Sequence, residues 1–229
     1  MKKEIARQSK PGATWTADDS ARLLTCQIVH DVSHGVTPSV RVQTMFRMPS
    51  GTVALVNGPI RVDEFRAGGD GTYMRSSGFM FGCGGLGLAL LAGSLAANAA
   101  GNARRRQLAA LDAQAAFRPQ FGGAVFVTNT GFILSGADGV FTWTTDEIDA
   151  MQVIDGGVAL MQGQSTRGPL TWRLMTPWAE LIFALWALRE HRDHPQLMDG
   201  SWLREAWLRY ARDTGHDPRL QTTALGSSR

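Results

Sequence analysis

The sequence predicts an α+β fold: a small antiparallel β barrel closed by a C-terminal helix, with a long Gly/Ala-rich helical insertion and a further C-terminal helix. Three observations predict it. Between residues 122 and 175, short apolar runs are separated by closely spaced Gly, Asn and Asp turns, which is how a meander reads. Thr176-Pro177 then introduces Trp178, Leu181, Ile182, Leu185 and Leu188 at helical spacing, an apolar face suited to cover the open end of a barrel. Between Arg75 and Arg104 no residue is charged, and Gly and Ala dominate.

In chain order, residues 1–39 read as a polar arm leading to a short element at residues 21–30. Residues 40–66 supply the first strands. Val40, Val42, Thr44 and Phe46 alternate with Arg41, Gln43, Met45 and Arg47, and Pro49, Ser50 and Gly51 form a turn. Residues 52–65 follow as one or two strands, broken at Asn57-Gly58-Pro59. Residues 67–121 are the insertion, a helix that continues through Phe117 and stops at Arg118-Pro119, because the residue before proline is steered out of the helical region. Residues 122–193 hold the β core and its closing helix, and residues 194–229 a second helix and a polar tail.

Composition narrows the function classes. A chain of 229 residues with 44% apolar content can bury a substantial core. Its net charge of +3 is mild, and no Lys/Arg cluster interleaves with aromatic residues, which argues against a nucleic-acid partner. Cys26 and Cys83 offer neither a disulfide framework nor a zinc spacing, so a reducing, cytoplasmic setting is expected. The N-terminus has no apolar stretch of the kind a signal peptide needs.

Residues 123–134 (Gly-Ala-Val-Phe-Val-Thr-Asn-Thr-Gly-Phe-Ile-Leu), then Phe141-Thr-Trp143, Ile148, Val153 and a helix from Trp178, resemble the bacterial pleckstrin-homology-like and GRAM-like domains. The match covers residues 122–190. It implies a seven-stranded barrel with one closing helix, acting as a scaffold for membrane or protein contact without catalysis. Where many relatives carry Arg or Lys after Thr-Asn, this chain has Thr130-Gly131, which counts against phosphoinositide binding.

The candidate functional residues lie in the insertion. Gly85, Ala89, Gly93, Ala97 and Gly101 recur every four residues and form a small-residue ridge on one helix face, which lets another backbone approach closely. Arg104, Arg105 and Arg106 follow the apolar run, where headgroups or a partner would meet them. One reading places residues 78–103 in or on a membrane. The alternative packs the ridge against an identical helix in a soluble homo-oligomer.

Other residues carry less. His30, Asp31 and His34 share a face if helical, but no third histidine lies near, and His191, Asp193 and His194 suit the C-terminus of the closing helix. Cys83 has no base beside it, and its glycines lack the Lys-Ser/Thr of a phosphate loop. Asp63 and Glu64 are adjacent in a strand and point to opposite faces, so they cannot act as an acid/base pair. Trp202 and Trp207 either pack on the β domain, the preferred reading, or form an interface with Arg204, Arg209 and Arg212. The expectation is therefore a non-enzymatic, membrane-associated scaffold or adaptor, with no catalytic, metal or cofactor site and with membrane lipid or protein partners.

Overall fold

The structure is a computed structural model that describes residues 14–68, 113–137, 139–166 and 168–219. Among the described residues, α1 (Ala17–Ser33) is followed by seven strands and then by three further α-helices. The strands are β1 (Ala54–Arg66), β2 (Ala116–Thr128), β3 (Gly131–Gly136), β4 (Gly139–Thr144), β5 (Ile148–Asp155), β6 (Val158–Ser165) and β7 (Gly168–Met175). The helices that follow are α2 (Ala179–Glu190), α3 (Pro195–Asp199) and α4 (Glu205–Asp213).

All pairings are antiparallel, in the order β4-β3-β2-β1-β7-β6-β5. The two outermost strands, β4 and β5, do not pair with each other, so the sheet is open and the predicted closed barrel is corrected to a single seven-stranded sheet in an α+β fold. Along β5, side chains of the C-terminal helices meet the backbone instead of a further strand: Trp186 bonds it at Ile148 and Gln196 at Val153.

The closing helix is buried more deeply than a single apolar face implies. Every residue from Ala179 to Leu188 is buried, because the sheet covers one side of α2 and α1 the other. The core joins Val62, Val125, Val127, Phe132, Leu134 and Leu174 of the sheet to Leu181, Phe183 and Trp186 of α2 and to Ile28 and Val29 of α1. The 17 residues of α1 exceed the short element expected at residues 21–30, because Thr16 and Asp19 form a capping box that starts the helix early.

Two further expectations are corrected. Residues 40–46 form no strand: β1 is flanked by β2 and β7, and only the Val42 N–H reaches it, donating to the Ala54 carbonyl at 3.0 Å. The helix expected through Phe117 gives way to strand from Ala116, where Phe117 pairs with Phe65 and Arg118 with Glu64. Pro119, expected to stop a helix, instead lies at a register shift between β1 and β2 where a missing N–H is tolerated. The rest of the insertion, residues 69–112, lies outside the described residues, with the ridge and Arg104 to Arg106 in it.

Candidate functional site

The insertion leaves and re-enters the domain at one point. Arg66, the last residue of β1, is paired with Ala116, the first of β2, so the two ends of the segment between them lie side by side at one end of a central hairpin. Side chains at that end are unusual for a sheet surface. The rings of Phe65 and Phe117 lie 5.3 Å apart, and Phe65 is 48% exposed. The Arg173 guanidinium stacks on Phe117 at 4.7 Å from the ring centre.

Beneath these groups sits a buried carboxylate. Alternation along β1 turns Val62 into the core and Arg61 and Asp63 to the opposite face. Register then sets Arg173 of β7 opposite Asp63. Arg61 donates to Asp63 through Nε and Nη2, each at 3.2 Å, and Arg173 Nη2 bonds Asp63 Oδ2. Asp63 is 1% exposed while both arginines reach solvent. Burial by itself would raise its carboxyl, but hydrogen bonds from Arg173 and Arg61 and their charges outweigh that and hold it below the ordinary carboxylate value. Glu64, on the other face, pairs with Arg66 at 3.3 Å. Arg61 and Arg173 flank Asp63 on the face that carries the exposed Phe65, while Glu64, Arg66 and Arg118 lie on the other face, so each face of this end of the hairpin carries one carboxylate and two arginines.

The other sequence candidates fall elsewhere. Trp202 and Trp207 are buried, at 2% and 9% exposure, and the Trp207 indole donates to Asp19 Oδ1 at 2.9 Å, so both belong to the packing of the C-terminal helices. His30 and His34 stack on each other with 4.3 Å between ring centres at the end of α1. His194 does not cap α2: its Nδ1 accepts from the Gln196 N–H and starts α3, and burial, reinforced by His191, pushes its pKa below the usual histidine value. Among the described residues no group of three or more His, Cys, Asp or Glu is placed to hold a metal.

Two concavities stand out among the described residues. One, of about 380 Å³, lies between α1, the β5–β6 turn and residues 201–207, walled by Trp202 and Trp207. Glu180 lines it, 2% exposed, and its Oε1 accepts from Arg22 Nε at 3.1 Å and from the Gly157 N–H at 3.0 Å. That pair ties α1, α2 and the β5–β6 turn together, and the Arg204–Asp155 pair lies at the cavity's exposed rim. The second, of about 410 Å³, is lined by Thr52, Thr130, Thr142, Thr144, Thr145 and Arg189. In the second, the Thr145 hydroxyl donates to Glu190 Oε1 at 2.7 Å, a bond that ties the β4–β5 connection to the end of α2.

The chain matches no protein-family model, and no curated protein or solved structure is significantly similar to it. Among the described residues no helix is long and apolar enough to cross a membrane.

Sequence reasoning missed the Phe65, Phe117, Asp63 and Arg173 cluster at the junction of β1 and β2. Arg61-x-Asp63 on one strand face was the available signal. Arg173 was not, since only the β1–β7 register brings it there.

Proposed function

We propose that this chain is a non-enzymatic, membrane-associated scaffold or adaptor in which residues 78–103 insert in or lie on the bilayer, with Arg104, Arg105 and Arg106 at its surface. The observation that carries the reading is the pairing of Arg66 with Ala116. A segment whose two ends leave a domain side by side returns to the side it left, so residues 78–103 act as a re-entrant hairpin or an interfacial segment and not as a single span. Phe65 then supplies an apolar side chain to the interface, and Arg61 and Arg173 on the same face meet the headgroup layer, where cationic side chains are favoured. The absence of charge between Arg75 and Arg104 supports the same reading.

The pleckstrin-homology-like and GRAM-like resemblance is part of this proposal. Seven antiparallel strands followed by a helix that covers them support it, and it extends to an open sheet, not to a closed barrel.

Flotation of the purified full chain with liposomes tests the proposal. The chain is expected to float with the vesicles, and Phe65→Ser with Phe117→Ser to reduce the floated fraction severalfold. A chain that stays in the supernatant after a high-speed spin without detergent and does not float overturns it. Self-assembly through Gly85, Ala89, Gly93, Ala97 and Gly101 is the alternative outcome, read as loss of the assembled mass in Gly93→Leu.

A further inference from the structure

Gln196 covers the β5 edge with both ends of its carboxamide. It accepts from the Val153 N–H at 3.0 Å and donates to the Val153 carbonyl at 2.8 Å, the pair of bonds a neighbouring strand would make. One imidazole starts the helix that carries it. His194 is the N-cap of α3, and its Nδ1 accepts from the Gln196 N–H at 3.2 Å. A backbone N–H can only donate, so Nδ1 holds a lone pair and no proton. The cap therefore exists only on the neutral ring.

The surroundings of the ring favour that neutral form. Phe183 and Trp186 of α2 meet it edge-on, at 5.0 and 5.8 Å between ring centres, and β5 meets it with the Met151 backbone. The charged groups that face it are His191, Asp193 and Asp199. Burial, and then His191, disfavour the imidazolium, while the Met151 backbone and the two aspartates favour it. The first pair prevails, so His194 titrates below the ordinary histidine value.

We propose that His194 is an acid-sensitive latch on the β5 edge: a proton taken from solvent at Nδ1 removes the N-cap of α3, sets an N–H against the Gln196 N–H, and frees the Gln196 carboxamide from Val153. The closed form holds a neutral ring and the open form an imidazolium. Closure is therefore complete above the ordinary histidine value, near pH 6.5, and weakens as pH falls below it. Each pH unit multiplies the open fraction about tenfold until the lower, closed-state value is reached. The Trp186 bond to the Ile148 carbonyl involves no residue of α3, so opening is confined to the Val153 end of the strand.

Amide hydrogen exchange of the full chain, in one detergent-containing buffer and corrected for the intrinsic effect of pH, tests this. Between about pH 7 and pH 5 the protection of Val153 and Gln196 is expected to fall severalfold, while the fully buried Val125 and Val127 of β2 keep theirs. His194→Asn keeps a capping acceptor that does not titrate and is expected to abolish the fall. His191→Gln is expected to leave it in place. The proposal is overturned by protection at Val153 that stays flat, by an equal fall at Val125 and Val127, or by a fall that persists in folded His194→Asn. Should that variant not fold, the ring resonances of His194 in the parent decide: a midpoint below about 6.5 upholds the latch, and one at or above it removes the latch.

Discussion

The Trp207 indole N–H donates to Asp19 Oδ1 at 2.9 Å, joining the last helix of the domain to the first turn of the first one. The other oxygen of the same carboxylate, Oδ2, accepts from the Thr16 N–H at 2.9 Å and the Thr16 hydroxyl at 2.6 Å, so one side chain caps α1 and docks α4. Replacing Asp19 by Ala removes the capping box and leaves a buried indole donor unmatched. A loss of about 2 to 3 kcal/mol in urea unfolding is expected. Trp207→Phe, which keeps the ring but drops the donor, is expected to cost less than the Asp19 change.

Asp63 makes the stability of the sheet depend on pH. Its carboxyl titrates below the ordinary value in the folded state, so it binds a proton more weakly there than in the unfolded chain. The stability it contributes is therefore complete above the unfolded carboxylate pKa, near 4, and is lost as pH falls through the lower folded value. Urea midpoints measured from pH 7 down to pH 3 are expected to decline, and Asp63→Asn to show a shallower decline from a lower starting point. Equal slopes in the two proteins would remove Asp63 from this account.

Cys26 is expected to be chemically silent in the native protein. Its side chain is fully buried, and burial, together with the nearby Glu180 carboxylate, pushes the thiol up to about 12, so almost no thiolate forms at neutral pH. In a Cys83→Ser background, the rate of reaction with a disulfide reagent at pH 8 is expected to follow global unfolding. Reaction in folded protein at the rate of a free thiol would contradict the burial.

Gly131 is fixed by its backbone. It opens β3 with φ of +147°, and a Cβ there would lie 2.0 Å from the Trp143 carbonyl oxygen of the paired β4. Gly131→Ala combines a strained conformation with a clash against backbone, and a loss of about 3 kcal/mol is expected. By contrast, Gly139→Ala meets no atom within 4 Å, so only the strain of its φ of +121° remains, and thermal unfolding should separate the two.

Much of the β core was legible because its signals are local. The Asn129-Thr130 turn, the Gly136 to Gly139 turn and the Gly156-Gly157 turn appear where the residues place them. Non-local effects were not legible. Asn57-Gly58-Pro59 reads as a break, yet β1 runs straight through it: Trp178 lies over Gly58 and donates to the Asn57 carbonyl, and β7 pairs with β1 only over Arg61–Glu64, so Pro59 lies outside that ladder. The covering of the β5 edge was equally hidden, because it comes from Gln196, more than forty residues from Val153 in sequence. The cluster at the base of the insertion was half legible, through Arg61 and Asp63 but not Arg173.

The position of the insertion bears on how fast the domain forms. The β1–β2 hairpin is central in the sheet, with β3 and β4 on one side and β7, β6 and β5 on the other, yet its strands are separated by residues 67–115. Closing a loop of that length in place of a four-residue turn costs about 2 kcal/mol of chain entropy. If the central hairpin is paired in the transition state, the cost slows folding by a factor of roughly 30. The two outer meanders, β2 to β4 and β5 to β7, each have short turns and can form before the centre joins them, so the middle of the sheet is the last part to zip.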